Sequence, residues 1–561
     1  MFRNIFLIFN KKIKLSFIYI FFLLVISTLI EILSIGMTLP ILNFFFSGTA
    51  KNNNLLFLNQ LTEFLDINYI LFLFVFLFII KNILSGFISW KQNNFAADIK
   101  CFLTNNFITG YLNMSYTNYK KERSSDLIRN LINETNNFAA VIQNYLNLIL
   151  EFFIIFSITG FLLIFNTRLT LVIFFFFIII SFLYLLIFRS FLKKIGNESV
   201  FFSSEVIKDI QNCFLNFRII KLLNNPKIYI DNFNLKNRKL INSIRFLAFI
   251  QSLTKLWLET LVIIFIILIL FLMKNEALNI DLVTVGLFVI SSLRIMPSVN
   301  KIINYLQKLK YSKATVTLIL KEYNKLNKIN FIKKNDEIKK IDYRINFNGD
   351  IILKNLEFFY RKDNKILHNF NLVIKNNILL ISGKSGSGKT TLVELICGLL
   401  KPISGQIFVG ENEIYQSLKE WQSQIAYVPQ KTHLLDSSIK KNILFSNSEL
   451  NFNRERFNLV LELCKLKDFV YGLENKEDTI LNEQAMNISG GQAQRIGIAR
   501  ALYQQSKILI FDEAFNALDY NLAKEIIINI KENFAKKKII IISHESFLNE
   551  IADQKLNLDL V

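Results

Sequence analysis

Six apolar stretches dominate the first 310 residues of the chain, and each is long enough to cross a lipid bilayer. A crossing takes about 20 apolar residues in a helix. The stretches lie at 15–46, 67–90, 143–166, 169–192, 247–273 and 280–306. We therefore predict six transmembrane helices, and this even number returns the chain to the side on which it starts.

The charges of the loops indicate the orientation of these spans. Lysine and arginine collect before the first predicted span and in the long loops after the second and the fourth, whereas the opposite loops carry few of them. Basic loops face the cytoplasm. We therefore expect a multi-pass protein of the inner, cytoplasmic membrane with both termini in the cytoplasm. Because these loops account for the net charge of +21, we predict no nucleic-acid partner.

The composition changes after the last apolar stretch. A connector rich in Lys, Glu and Asn is followed by short apolar runs that alternate with helical patterns, which is typical of a parallel α/β domain. We predict a transmembrane domain with cytoplasmic helical extensions at 1–312, a linker at 313–345 and the α/β domain at 346–561. This last domain is expected to lie in the cytoplasm.

A complete P-loop follows an apolar strand at 378–381 and opens a helix. Its glycines let backbone amides face phosphate oxygens, Lys389 reaches the β- and γ-phosphates, and Thr390 can ligate Mg²⁺. A glycine-rich turn without a ligand is the weaker interpretation. We predict ATP and Mg²⁺ as cofactors, with these residues at the nucleotide: Gly383, Ser385, Gly386, Ser387, Gly388, Lys389, Thr390 and Thr391.

Two adjacent carboxylates follow a second apolar strand at 508–511. At the carboxyl end of a buried strand, Asp512 can hold Mg²⁺ while Glu513 polarises the attacking water. Paired carboxylates are common on protein surfaces. Their position directly after this strand and downstream of the P-loop favours the catalytic interpretation.

The segment Ile488-Ser489-Gly490-Gly491-Gln492 resembles the signature of ABC ATPases, with Ile where Leu is usual. Other motifs of that family stand in the right order: an aromatic residue at Tyr360, a glutamine at Gln430, Asn516 to Asp519 after the carboxylates, and His544 after an apolar strand. The chain is therefore similar to an ABC half-exporter. The resemblance implies a six-helix membrane domain of the type IV exporter kind, joined to an ABC nucleotide-binding domain.

That resemblance implies further roles. Tyr360 would stack on adenine, Gln430 would sense the γ-phosphate and contribute to the metal site, and His544 would hold the γ-phosphate. The signature would close over the nucleotide of a second subunit, so a homodimer or a heterodimer is implied. The residues that complete this nucleotide site are Ser489, Gly490, Gly491, Gln492 and Asp519. Two positions depart from the family's pattern: Asn516 stands where Ser is usual, and Glu545 where Arg is common.

Three cations lie inside predicted spans, where an ionisable residue is costly unless it is paired or faces water. Lys81, Lys255 and Arg294 are about 12–18 Å from the cytoplasmic ends of their helices. They could form a belt that binds an anionic head group. Equally, Glu31, Glu151 and Glu259 could neutralise them, and the residues alone leave both interpretations open.

The membrane half also resembles the bacterial flippase of lipid-linked oligosaccharides. The similar segments are Glu31–Pro40, Lys81–Asn82, Lys255–Glu259 and Leu293–Ser298. This resemblance implies that the three cations attract a polyprenyl-pyrophosphate glycan, and that a helix over Leu55–Leu65 lies on the outer face. Export of another amphiphile, such as lipid A core, a drug or a peptide, is the alternative. A non-transporting ABC ATPase is a more distant one.

Overall fold

The computed structural model describes residues 5–6, 8–37, 67–165, 167–274, 282–338, 347–361, 364–375, 377–445, 452–481 and 488–560. The chain divides into two compact units. The first comprises Met1–Met114 and Asn118–Ile338, and the second comprises Ser115–Thr117 and Lys339–Val561. We call them the membrane unit and the nucleotide-binding unit.

Long helices build the membrane unit. They are α1 (Lys11–Gly36), α2 (Ile67–Leu112), α5 (Thr135–Phe165), α6 (Thr167–Leu215), α8 (Lys227–Lys274), α9 (Leu282–Tyr311) and α10 (Lys313–Ile338). Short helices connect them: α3 (Tyr116–Tyr119), α4 (Ser124–Arg129) and α7 (Phe217–Leu222), with a π-helical turn at Asn130–Glu134. The predicted outer-face helix at Leu55–Leu65 lies outside the described residues.

Among the residues that the structure describes, five helices are long and apolar enough to cross a membrane. They lie within α1, α2, α4 to α5, α6 and α8, and α9 covers the sixth predicted span. Large apolar side chains such as Phe72, Phe156 and Ile187 are more than two-thirds exposed. Such a surface is expected where lipid replaces water. The helical membrane architecture predicted from the sequence is confirmed.

Three of these helices continue well beyond the length of a membrane crossing. Helices α2, α6 and α8 contain 46, 49 and 48 residues. The basic loops are therefore largely continuations of the spans. Helix α10 lies in the segment predicted as a linker, yet its Val316, Ile319 and Leu326 are buried, so the compact part of the membrane unit extends to Ile338.

Helices α6 and α9 approach each other very closely at one point. A Cβ atom added to Gly196 would lie 2.0 Å from the backbone oxygen of Tyr311. Only glycine fits here, because any side chain would collide with the end of α9. On the N-terminal side of this contact in both helices, apolar residues of α5, α6, α8 and α9 form one core cluster.

Two principal sheets build the nucleotide-binding unit. The antiparallel sheet has the order β2 (Asn364–Ile374), β1 (Ile351–Arg361), β4 (Ser404–Val409) and β5 (Asn412–Glu413). The parallel sheet has the order β11 (Gln554–Asn557), β3 (Ile378–Ser382), β10 (Lys538–Ile542), β9 (Ile508–Asp512) and β6 (Ile425–Val428). A small pair joins β7 (Ser437–Ser438) to β8 (Ile480–Leu481).

The central strands β3, β9 and β10 are buried along almost their whole length, as expected for a parallel sheet covered on both faces. The helices of this unit are α11 (Lys389–Ile396), α12 (Leu418–Ser423), α13 (Ile439–Leu444), α14 (Arg454–Leu463), α15 (Lys467–Tyr471), α16 (Gly490–Tyr503), α17 (Tyr520–Asn533) and α18 (Leu548–Ile551). The predicted α/β class of this unit is confirmed.

Candidate functional site

The register of the parallel sheet brings the predicted motifs to one edge. Ile542 at the end of β10 lies opposite Ile381 of β3 on one side and Asp512 of β9 on the other. The P-loop leaves β3 at this edge, the paired carboxylates stand at the end of β9, and His544 follows β10. Ligands of open α/β sheets bind at such carboxyl ends.

The P-loop has the backbone that its glycines predict. Gly386 and Gly388 have φ values of +87° and +94°, which residues other than glycine rarely adopt. At Gly388 there is also no room, because an added Cβ atom would lie 2.6 Å from Cγ2 of Ile366. The loop therefore turns sharply into α11, whose N-terminal amides are suited to an anion.

Two polar side chains point into this loop. Lys389 is only 6% exposed, and its Nζ donates to the carbonyl oxygens of Gly383 and, at 2.9 Å, Lys384. The Ser387 hydroxyl is buried and has no hydrogen-bond partner among the described residues. A buried hydroxyl without a partner is costly. Both groups thus offer donors to a ligand in the loop.

Tyr360 lies beside the first turns of α11. Its hydroxyl is 3.5 Å from the Thr391 hydroxyl and donates to Glu394 at 3.3 Å, while 55% of the residue is exposed. The Phe358 ring packs edge-on against the Tyr360 ring at 5.1 Å. The tyrosine is therefore held near the P-loop helix with much of its surface open to solvent. Thr390 is exposed as well.

Asp512 is buried at the end of β9 and accepts a hydrogen bond from the Tyr427 hydroxyl at 2.8 Å. Burial raises the pKa of the Asp512 carboxyl, and the neighbouring Glu513 raises it further, whereas the bond from Tyr427 lowers it. Burial and the carboxylate also raise the pKa of Tyr427. A desolvated carboxylate of this kind has a strong tendency to bind a cation.

Glu513 has an unusual backbone conformation and two amide neighbours. Its φ of +50° lies in the left-handed region, where a glutamate is strained. Its backbone amide donates to the Ile542 carbonyl at 2.9 Å, which ties the turn to β10. Its carboxylate accepts hydrogen bonds from Gln430 and, at 3.3 Å, from Asn516. The predicted Glu513 and Gln430 are thus brought together.

His544 and the signature complete the predicted set, and the structure describes their local geometry. His544 is exposed and makes no hydrogen bond within the described part of the chain. Ser489 caps α16, because Gln492 N donates to its hydroxyl at 3.2 Å while Ser489 N donates to Gln492 Oε1 at 2.7 Å. Gly490, Gly491 and Asp519 all retain solvent exposure. Their roles toward a nucleotide stay predictions.

Family comparisons decide the identity of both units. Residues 17–296 match the family model of the ABC transporter transmembrane region, and residues 367–516 match the family model described as ABC transporter. The chain belongs to the ABC transporter family. It is an ABC exporter in which ATP binding and hydrolysis are coupled to transport.

Relatives of this ABC transporter include proteins that match nearly its whole length. A proposed export ATP-binding/permease protein of Rickettsia typhi is 27% identical over 95% of this chain and 91% of that protein. The alpha-hemolysin translocation ATP-binding protein of Escherichia coli O157:H7 is 40% identical, but over only 35% of this chain and 28% of its own length.

A solved structure supports the fold independently. It is described as a bacterial Atm1-family ABC exporter with ATP bound, and it matches with a TM-score of 0.74 over 98% of this chain and 94% of its own. At 17% identity, this likeness shows the fold alone. The predicted type IV exporter architecture is thereby confirmed.

The membrane unit of the transporter joins two of the three predicted cations to one acid. Glu31 of α1 is 3% exposed, and its carboxylate oxygens bind Lys81 of α2, at 2.7 Å, and Arg294 of α9. We call these three residues the Glu31 cluster. It carries a net charge of +1 when all members are ionised, and the Arg294 side chain remains 38% exposed.

Lys255 is placed differently. Its Nζ is 3.7 Å from Glu259 on the same helix, and both side chains are well exposed. Lys301, which the sequence pattern did not single out, pairs with the buried Glu151 at 2.8 Å. The structure thus joins Lys81 and Arg294, whereas Lys255 belongs to a separate local pair. All three acids named as neutralising partners do bind a lysine or arginine.

Two residues of the nucleotide site were missed by the sequence patterns. Tyr427 lies on β6, and its contact with Asp512 depends on the pairing of β6 with β9, which no local motif indicates. Asn516 was noted only as a departure from the family's pattern, yet its amide contacts Glu513. Its spacing of three residues from Glu513 was the available signal, because such spacing fits a tight turn.

Proposed function

We propose that this ABC exporter flips a lipid-linked oligosaccharide, a polyprenyl-pyrophosphate glycan, across the cytoplasmic membrane. The observation that carries the proposal is the Glu31 cluster. Two cations from different helices lie at one buried point of the membrane unit and exceed its negative charge by one. A pyrophosphate is the part of such a cargo that would bind there.

The energy source of this proposed transport is ATP bound at the P-loop edge. Lys389 and the amides of 383–388 would hold the β- and γ-phosphates. Glu513 would orient and polarise the attacking water, and its carboxylate is positioned by Gln430 and Asn516. His544, on the adjoining strand end, would contact the γ-phosphate. Tyr360 would stack on the adenine ring.

The residues at this edge fit a magnesium ion. The Thr390 hydroxyl, the Asp512 carboxylate and the Gln430 amide oxygen supply oxygen ligands, which Mg²⁺ prefers. The raised pKa of Asp512 reflects a buried carboxylate that a cation would stabilise. When bound, the ion would neutralise charge on the phosphates. Thr390, Asp512 and Gln430 would hold it.

We further propose that the working transporter is a homodimer. Ser489, Gly490, Gly491 and Gln492 stand at the exposed N-terminus of α16, where the capping box leaves the helix end ordered for an anion. They would close over the nucleotide on the P-loop of a second copy, with Asp519 beside them. A heterodimer with a similar half-exporter is the other arrangement that this role permits.

Export of another amphiphile is the second candidate function. Lys255 is paired with Glu259, so it adds no net positive charge to that of Lys81 and Arg294. This smaller positive charge is compatible with a less anionic cargo. The relatives named for leukotoxin and alpha-hemolysin translocation match only about 35–37% of this chain and 28–29% of their own length. Their names therefore carry little weight for the cargo of the membrane unit.

The test is ATP-dependent flipping of a fluorescent undecaprenyl-pyrophosphate glycan by the full-length transporter in proteoliposomes. We expect flipping by the native protein and none by Glu513→Gln. Lys81→Gln and Arg294→Gln should reduce flipping by more than about tenfold, because each removes an ion-pairing group. Their basal ATPase activity should remain.

Lys91→Gln is the matched control, since it removes another lysine of α2 whose described contacts are only aromatic. It should flip as the native protein does. Undiminished flipping by both cluster variants would reject the cluster as the pyrophosphate site. Transport of a neutral amphiphile with no flipping of the glycan would favour the second candidate.

A further inference from the structure

A cavity lies between α6 and α8 in the membrane unit. Its volume is about 360 Å³, within the usual range for small-molecule sites. Its lining includes three aromatic side chains and three polar ones: Phe191, Phe202, Phe246, Glu198, Lys239 and Asn242. Neither the nucleotide site nor the Glu31 cluster shares any of these residues.

The position of the cavity along its helices matches the border of the membrane. The fourth predicted span ends at residue 192, and the fifth begins at residue 247. At a rise of 1.5 Å per residue, Glu198 and Asn242 lie about 7–9 Å beyond these ends. The polar head groups occupy a layer of roughly 5–8 Å on each side of the hydrocarbon core. Lys239 lies about 12 Å beyond the start of the fifth span. The polar wall of the cavity is therefore at the outer edge of the head-group layer, and the long Lys239 side chain can reach back toward it.

The apolar wall lies at the border itself. The rings of Phe191 and Phe246 have centroids 4.4 Å apart and join α6 to α8. Both residues are more than one-third exposed. Aromatic side chains at this depth are typical of the interface between lipid and water. They offer an apolar contact to the glycerol and the first acyl carbons of a lipid.

Opposite charges line the cavity without neutralising each other. Glu198 and Lys239 form no ion pair, either with each other or with another residue in the described part of the chain. Lys239 Nζ instead lies 5.2 Å from the centroid of the Phe202 ring. A site with a separate acid and base is complementary to a ligand that carries both charges.

We propose that this cavity binds the head group of a zwitterionic phospholipid with a primary ammonium, drawn from the cytoplasmic leaflet. The ammonium is placed at Glu198, and the phosphate at Lys239 and Asn242. The acyl chains leave past Phe191 and Phe246 into the bilayer. The lipid is a bound component of the transporter and not its cargo, so this proposal does not rest on the proposed transport function.

The same charges disfavour the other common head groups. A phosphatidylglycerol head group brings no cation for Glu198 and adds a negative charge near it. A choline head group fills the site but has no N–H to donate to the carboxylate. Phosphatidylethanolamine is therefore the probe that the cavity should retain best.

The test is native mass spectrometry of the full-length transporter extracted from nanodiscs that contain phosphatidylethanolamine, phosphatidylglycerol and phosphatidylcholine in equal amounts. We expect preferential retention of phosphatidylethanolamine. Lys239→Gln and Glu198→Gln should each weaken its binding about tenfold, because each removes one charged hydrogen-bonding partner. Glu198→Gln should also abolish the preference over phosphatidylglycerol.

The neighbouring exposed residues provide matched controls. Arg238→Gln and Asp231→Asn remove the same charges from α8 outside the cavity and should retain lipid normally. Lys239→Arg keeps the cation and should restore binding, which separates lost recognition from misfolding. Equal retention of the three lipids, or unchanged retention by both cavity variants, would overturn the proposal.

Discussion

Both units bury charged groups, but they satisfy them in different ways. In the nucleotide-binding unit, Asp512 accepts a hydrogen bond from Tyr427 and forms no ion pair with any described residue, and the Ser387 hydroxyl has no described partner. In the membrane unit, Glu31 is bound by both Lys81 and Arg294. The nucleotide site therefore keeps polar groups available for a ligand, whereas in the Glu31 cluster the charged groups already bind one another.

This difference has a consequence for each reaction. Nucleotide and metal can bind at the P-loop edge by displacing few protein contacts, namely those of Lys389 and the hydrogen bonds from the Lys384 amide to the Asp559 carboxylate at 2.8 and 3.0 Å. The Glu31 cluster has one positive charge in excess, but both of its cations already bind Glu31, so an anionic cargo there must compete with this carboxylate for them. Such a competition suits a site that has to release its ligand, because neither state is greatly favoured.

The largest effect is expected in the nucleotide-binding unit, where Glu513 is the proposed catalytic base. Glu513→Gln keeps the hydrogen-bonding shape but removes the charge that polarises water, so ATP hydrolysis should fall about 10²–10⁴-fold. Phosphate release by the purified transporter measures it, and ATP binding should persist. Glu550→Gln, on the exposed side of α18, is the control and should be fully active. Comparable activity of the Glu513 variant would remove it from the catalytic role.

The second prediction concerns the Glu31 cluster. Glu31→Gln leaves Lys81, which is only 8% exposed, without its counter-charge, so the membrane unit should lose about 3–5 kcal/mol of stability. Glu259→Gln breaks the exposed pair with Lys255 and should cost less than about 0.5 kcal/mol. Thermal unfolding in detergent, with proteolysis to locate the change, compares them. Equal losses of stability in the two variants would show that the Glu31 cluster contributes no more to the free energy of unfolding than an exposed ion pair does.

The third prediction sharpens the account of Asp512. Binding a cation requires the carboxylate, so activity falls as the pH drops through the raised pKa. Tyr427→Phe removes a hydrogen bond that stabilises the carboxylate and must raise this pKa further. The acid limb of the ATPase profile should therefore move to higher pH, and the apparent affinity for Mg²⁺ should fall about tenfold below neutrality. An unmoved acid limb would assign that limb to another group.

The smallest effect is expected at Asn516. Its amide contacts the Glu513 carboxylate at the long distance of 3.3 Å, so Asn516→Ala should lower the ATPase rate about threefold. Steady-state kinetics should show the change in kcat and not in KM, because the residue positions the base and does not touch the nucleotide. A change confined to KM would place Asn516 at the substrate instead.

The two units also differ in how far the sequence predicts them. The P-loop, Asp512 and Glu513 are found from sequence because a parallel sheet places the ends of successive strands at one edge, whatever the loops do. Tyr427 could not be found in this way, because its contact with Asp512 depends on which strand lies beside β9. In the membrane unit the spans follow from apolar length, whereas the pairing of Lys81 and Arg294 depends on the rotation of three helices about their axes.

The contact between Gly196 and the end of α9 gives α6 the geometry of a lever. Counted from this glycine, the two arms of the helix are about 44 Å and about 29 Å long. If α6 tilts about this fulcrum as a rigid rod, its ends move in opposite directions. The arm beyond the membrane then travels roughly two-thirds as far as the arm within it. A side chain at position 196 would force the helices apart at the fulcrum and alter this ratio.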